Sequence, residues 1–228
     1  MDGSHMDLSV VLAGAVLAGS EAPDRSFGRR QRHAAETRLR IFRSAIQLFS
    51  ERGFASVTVG EITEAADVGK GTFFNYFESK DHVLGVMAEI QSGKIREAAR
   101  IAASGRQSMR SVLHRLALRL GEEPGRSPQL ARTVVSSFLA SEVVRGLVEE
   151  RMVEGRRMVA GMVAIGQKNG EIGPRLKRDA VAIQFQQAVM GTILLWSLQG
   201  TPPLKRRIEE SFAHFWRAIA RQGQEQKR

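Results

Sequence analysis

Ten residues constrain this chain more than any others. Val68 to Phe77 reads Val-Gly-Lys-Gly-Thr-Phe-Phe-Asn-Tyr-Phe, with four aromatics, two glycines and a lysine. It follows a short helical stretch that opens on Thr58-Val-Gly-Glu61. That tetrad is a capping box: the Thr58 hydroxyl can accept from the Glu61 amide while Glu61 reaches back to Thr58. Asp67-Val68-Gly69 then reads as a turn and Lys70 to Phe77 as a second short helix. Phe73 and Phe77, four apart, share the face that turns inward. Two short helices joined by a tight turn form a helix-turn-helix, a motif that lays its second helix in the major groove of DNA.

The rest of the chain reads helical. A first helix is expected over 34–52, where Ile41, Phe42, Ala45, Ile46, Leu48 and Phe49 recur at helical spacing and Gly53 supplies a C-terminal stop. Ser79 caps a fourth helix, with Asp81 in its first turn. Further helices are expected over 80–103, 108–121, 128–140, 142–169, 177–199 and 204–222. Gly105, the stretch from Glu122 to Gly125, Gly170 to Pro174 and Gly200 to Pro203 mark the breaks. Ser127-Pro128 is an N-cap followed by proline at the first helical position. Bulky aromatics crowd the chain before residue 80, as a small three-helix core requires. Beyond it the core-formers become Leu, Val, Ile and Met, including Met87, Met109, Met152, Met158, Met162 and Met190.

The formal charge of +10 and a pI near 10.9 suit a polyanionic partner. Much of that charge is arginine spread along helices, which reads as solvated faces. The local cluster is more telling: residues 25–43 hold Arg25, Arg29, Arg30, Arg32, Arg38, Arg40 and Arg43 against Glu36. Such an arm is either solvated or able to enter a minor groove. There is no cysteine, so disulfides, thiolate metal sites and thiol nucleophiles are excluded. The five histidines lack metal-ligand spacing. No paired carboxylate or Ser-His constellation marks an enzyme, and no cofactor motif appears. Gly3 to Met6 reads as a cloning remnant. Val10 to Ala18 is apolar but too short to span a bilayer. With no basic residue ahead of it, it is a poor signal peptide, so a cytoplasmic protein without membrane attachment is expected.

From Thr37 to Leu84 the chain resembles the TetR family of bacterial transcriptional regulators. The residues that carry the resemblance are Ala45, Phe49, Gly53-Phe54, Thr58-Val-x-Glu-Ile62, Ala65-x-x-Val68, Lys70 to Phe77, and Ser79-Lys80 leading into Leu84. The resemblance implies an all-α fold: an N-terminal three-helix DNA-binding domain over 34–80, preceded by a tag-derived and basic tail over 1–33. A helical ligand-binding and dimerisation domain follows over 81–228. It places Thr58, Gly69, Lys70, Gly71, Thr72, Phe74, Asn75, Tyr76 and Lys80 at or near double-stranded operator DNA, with Thr58 and Lys80 on phosphates. Three positions depart from the family pattern. Gly69 stands where Ser is common, Phe74 where Tyr is common, and Gly60 where some members carry a base-reading side chain. Plainer roles stay open: Thr58 as a cap alone, Phe74 as core, Tyr76 buried between helices and Lys70 as a solvated charge.

The resemblance also implies a homodimer and a small-molecule effector. The segment from Ala188 to Trp196 is apolar all round, which implies burial on both sides, against its own domain and a second subunit. Ile208, Phe212, Phe215 and Ile219 form a second apolar stripe. An effector pocket is expected among Met87, Phe138, Met158, Met162, Gln184, Gln187 and Met190, because methionines adapt to irregular apolar ligands and the glutamines offer hydrogen bonds. These residues are equally suited to an ordinary core. The implied function is a repressor released from a palindromic operator by an apolar or amphipathic effector; a DNA-binding architectural protein without a ligand is the alternative.

Overall fold

The computed structural model describes residues 29–221 of the 228. The expectations for the tail, Arg25 and the Val10–Ala18 run lie outside those residues. The described residues form nine α-helices: α1 Arg29–Arg52, α2 Val59–Ala65, α3 Lys70–Phe74, α4 Lys80–Ala103, α5 Met109–Leu120, α6 Pro128–Ala140, α7 Glu142–Lys168, α8 Arg178–Gln199 and α9 Leu204–Ile219. A 3-10 turn, Pro124–Arg126, precedes α6. The fold class is all-α; among the described residues β-pairing is limited to one isolated bridge, Ile172 to Ala220.

Three helix ends differ from expectation by more than a residue, one of them that of α9, which ends at Ile219 instead of 222. α1 begins at Arg29, five residues early. Residues 29–36 carry no apolar stripe, so periodicity is silent there while Arg, Gln and Ala sustain a helix by propensity. α3 ends at Phe74 instead of Phe77, with Asn75 as its C-cap. The amides of Tyr76 and Phe77 still bond to the Phe73 carbonyl, at 2.9 Å each, which keeps Phe77 turned inward.

The chain divides into two compact units. Among the described residues the first contains 29–93 together with Thr133–Arg151. Its core buries Ile41, Phe42, Ala45, Ile46 and Phe49 of α1, Ile62 of α2, Phe73 and Phe77, and Val83, Leu84 and Met87 of α4. A fully buried side chain of this size contributes about 1.5–3 kcal/mol, so a handful of phenylalanine and isoleucine anchors suffices for so short a domain. Gly53, with φ +80°, turns the chain out of α1. Val144 and Val148 of α7 are also buried, and Gly85 leaves the room that Leu147 occupies.

The second unit, Lys94–Arg132 with Met152 onward, has a continuous apolar core. α9 packs along α8 and α5, burying Ile208, Phe212, Phe215 and Ile219 as the stripe foretells. Phe185 and Phe215 meet edge to face at 5.6 Å. α8 is less enclosed than its composition suggests. Val181, Phe185, Val189 and Trp196 face the core, but Ile183, Leu194, Leu195 and Leu198 are exposed, Leu198 by 66%.

Candidate nucleic-acid interface

Local chemistry positions the reading helix. The Glu61 amide donates to the Thr58 hydroxyl at 3.2 Å, and the Thr58 amide donates to the Glu61 carboxylate at 2.8 Å. The same hydroxyl donates to that carboxylate at 2.8 Å, and the Arg52 guanidinium approaches Glu61 to 2.7 Å. The backbone and hydroxyl bonds from Thr58, then Arg52, hold the Glu61 carboxyl down at about 2, well below the ordinary 4.5. Thr58 is therefore a working cap, and Arg52, nine residues before Glu61, is a brace that no local spacing rule reveals. The Ser44 hydroxyl donates to the Ala65 carbonyl at 3.2 Å, tying α1 to the end of α2.

The turn passes through Asp67 at φ +49°, a left-handed conformation that Asp tolerates better than most residues. Gly69 caps α3 with extended backbone and no side-chain bond. Phe73 then anchors α3 in the core, against Phe77 at 5.5 Å. With that face fixed, Lys70, Gly71, Phe74 and Asn75 are exposed, and Thr72 and Tyr76 are half-buried. Phe74 is 54% exposed and touches Phe73 edge-on, so the core reading of Phe74 is overturned.

The glycines are the most informative part of this surface. A Cβ at Gly69 or Gly71 would meet nothing within 4 Å, and one at Gly60 would make ordinary contacts with Lys70 and Thr58. Gly69 has an ordinary negative φ, and Gly71 lies inside α3. Neither the backbone nor packing within the chain calls for glycine at these three positions. A flat, side-chain-free surface beside an exposed lysine and aromatic is what a helix needs to seat its backbone close to a groove wall.

Lys80 has a different place from that expected. Its ammonium donates to the Phe54 carbonyl at 2.9 Å and the Val57 carbonyl at 3.0 Å, and lies 4.4 Å from the centre of the Phe54 ring. Two of its three donors hold the loop leading to Thr58. In this structure it shapes the surface from behind.

The residues expected around an effector fall in both units. Met87 is buried and Phe138 half-buried in the first unit. In the second unit Met162 is core, Met158 and Met190 are half-buried, and Gln184 and Gln187 are exposed on α8. The glutamines point outward because Val181, Phe185 and Val189 claim the inner stripe of that helix. A cavity of about 10 Å³ in this unit is lined by Ala117, Phe185, Thr192, Ile208, Ser211 and Phe212, among others, but by none of those seven. It has room for about one water molecule.

Comparison with known proteins fits this geometry. Residues 41–87 match the family model described as bacterial regulatory proteins, tetR family. The chain is 43% identical over 56 residues to the transcriptional regulator TcmR of Streptomyces glaucescens, covering 25% of each chain. It spans less than a third of the length of the first curated relatives it matches. Solved structures extend the likeness to the whole fold. The SmeT–triclosan complex superposes with a TM-score of 0.67 at 18% identity, over 82% of this chain and 93% of that one. FadR from Bacillus subtilis in complex with stearoyl-CoA gives 0.65 at 17% identity, over 78% and 96%. The curated relatives it matches include TcmR, AcrR of Shigella flexneri and the repressor KstR of Rhodococcus jostii, each named as an HTH-type transcriptional regulator or repressor. By its helix-turn-helix motif and these matches, the segment 41–87 is similar to the tetR family of bacterial regulatory proteins, and the all-helical fold is similar to that of the solved structures.

Proposed function

We propose that the chain is a cytoplasmic homodimeric repressor that binds a palindromic operator and is released by a small apolar or amphipathic effector. Residues 34–80 read DNA, and residues 81–228 dimerise and take the effector. The observation that carries the DNA-binding reading is the surface around α3: Gly60, Gly69 and Gly71, with no use inside the chain, beside the exposed Lys70, Phe74 and Asn75. Lys70 and Thr72 at the start of α3 would meet phosphates and base edges, and the Phe74 ring would meet a thymine methyl or sugar. Tyr76 and Thr58 would flank the backbone.

The dimer reading rests on α8. From Ala180 to Gln199 this helix has no charged residue, yet Ile183, Leu194, Leu195 and Leu198 are exposed. The helix is also long and apolar enough to cross a membrane by composition, with a mean hydropathy of 1.3. Its packing along α9, with Val181, Phe185, Val189 and Trp196 facing the core, and the fold it shares with solved regulators favour a partner subunit as its cover.

The effector class is supported by the family fold and by two structural relatives solved with molecules of this kind, stearoyl-CoA and triclosan. The methionines and Phe138, with Gln184 and Gln187, remain the residues we propose to respond. The mechanism is a shift between two states, of which the effector favours the one whose reading heads no longer match grooves one helical turn apart.

The test is selection of bound fragments from a random duplex pool, with and without candidate acyl-CoA and aromatic effectors. Enrichment of a palindrome is expected. Lys70→Ala should weaken binding to that palindrome and lower the salt slope by about one. Wild-type affinity in a Lys70→Ala/Tyr76→Phe double variant would remove α3 from the interface.

A further inference from the structure

The formal charge is divided unevenly between the two units. Residues 29–93 and 133–151 of the first carry 11 Lys and Arg against 11 Asp and Glu. The described residues of the second carry 20 against 8. The basic excess of the described residues therefore lies outside the unit that holds the reading helix.

Within the second unit the excess has a focus. Three segments meet at one corner: the α4–α5 connection, the α7–α8 connection and the end of α9. Glu171 joins all three. Its carboxylate accepts from the amides of Met109, at 2.9 and 2.8 Å, and Arg110, at 3.4 Å, while its carbonyl accepts from the Arg221 amide at 3.0 Å. The Gly173 amide donates to the Ile219 carbonyl at 2.9 Å, and the Gln167 amide group donates to the carbonyls of Gly173 and Leu176. This scaffold holds Arg106, Arg110, Lys168, Arg175, Lys177, Arg178 and Arg221, every one of them exposed. Among the described residues none of the seven has an ion-pair partner within 4.0 Å. The acids in the same segments are Asp179 and Glu171, whose carboxylate is already engaged by backbone amides.

We propose that this corner is a second, sequence-independent contact for the phosphate backbone of duplex DNA. Clustered like charges repel one another and are held close most cheaply when a polyanion neutralises them. Five of the seven are arginines, whose planar fork fits phosphate oxygens in pairs. A main-chain scaffold holds together the segments that carry them, so the seven charges share one corner. A membrane surface fits less well. Leu176 is the one large exposed apolar residue in these segments, and a segment lying on a bilayer needs an apolar face to bury. On this reading the second unit supplies general affinity for DNA, and the formally neutral head supplies the choice of sequence.

The experiment uses the full chain and a duplex of arbitrary sequence, about three helical turns long. Arg175→Ala/Lys177→Ala/Arg178→Ala should flatten the dependence of log affinity on log salt by up to about 2.7, at roughly 0.9 for each phosphate no longer neutralised. Arg106→Ala/Arg110→Ala/Arg221→Ala draws on the other two segments and should act in the same direction; it gives the reading if the first variant folds poorly. Lys70→Ala should change the slope on this duplex by no more than about one. Selection from a random pool with either triple variant should enrich the same sequence as the wild type. Unchanged salt slopes in both folded variants would overturn the proposal. So would binding to phosphatidylserine vesicles, abolished in the variants, with DNA slopes unmoved. Failure of the wild type to enrich any sequence, with the slope changes intact, would instead count against the reading head.

Discussion

At the residue scale, the helix-turn-helix trades stability for access. Gly71 lies inside α3, where glycine costs roughly 0.5–1 kcal/mol relative to alanine, and a methyl there would meet no atom of the chain. Gly71→Ala should therefore raise the melting temperature slightly while weakening binding to the selected operator about tenfold or more, an effect of at least ~1.4 kcal/mol. Calorimetry and operator titration on one preparation check both halves; a variant that is more stable and binds as well would mean the surface does not approach DNA. Glu61 gives a second test, through pH. Its folded value of about 2 lies below the ordinary 4.5, so folding is favoured by its ionisation. That contribution is complete above pH 4.5 and is lost as pH falls towards 2. Glu61→Gln removes the charge. The stability gap between wild type and variant should be constant above about pH 5 and shrink steadily below it, as read by urea unfolding at successive pH values.

At the element scale, the attachment of α4 to the α5 corner rests on a buried charge. Lys94 is 1% exposed, and its ammonium donates to the Arg119 carbonyl and to the carboxylates of Glu122, at 3.2 Å, and Glu123. Glu123 is buried as well. Removing one partner leaves the other desolvated, so Lys94→Ala should cost about 3–5 kcal/mol. Lys94→Met/Glu123→Gln, with neither charge left inside, should recover most of that loss; chemical denaturation of the single and double variants as a cycle would measure it. A Lys94→Ala cost below about 1 kcal/mol would show that the ammonium reaches water. This cluster also marks the limit of what the sequence makes legible. Helices α4 to α8 fall within about a residue of their expected spans, because apolar spacing, caps and glycine stops are local signals. The capping box, the turn and the inward Phe73 and Phe77 are legible for the same reason. Lys94 reads as one more polar residue on an amphipathic helix, since its partners lie 25 to 29 residues on. The Lys80 grip on the Phe54 and Val57 carbonyls and the exposure of Phe74 are tertiary facts of the same kind. The outward turn of Gln184 and Gln187 is hidden because an all-round apolar helix gives no moment by which to orient it.

At the scale of the whole molecule, the exposed stripe of α8 and the charge of the second unit pull in opposite directions. Ile183, Leu194 and Leu198 lie along one line of the helix, at spacings of eleven and four, with Leu195 beside it, and no charge interrupts the line. An apolar line of this length on an otherwise polar surface marks a partner site. Light scattering in detergent-free buffer should give about twice the 25.2 kDa chain mass. Leu195→Asp/Leu198→Asp should give a soluble monomer of unchanged helicity. Both side chains are exposed in the single chain, so the substitutions cost little until a second copy would bury them unpaired. The monomer should also lose operator affinity steeply, because a palindrome rewards two heads held together. Salt separates this association from DNA binding. Each second unit carries 20 basic against 8 acidic described residues, so two copies repel and the dimer should tighten as salt screens them, whereas DNA binding weakens as counterion release loses its advantage. Dimer dissociation measured by sedimentation between roughly 50 mM and 500 mM salt should therefore shift towards dimer. A folded wild-type monomer at micromolar concentration throughout that range would mean that α8 is covered by something other than its own copy.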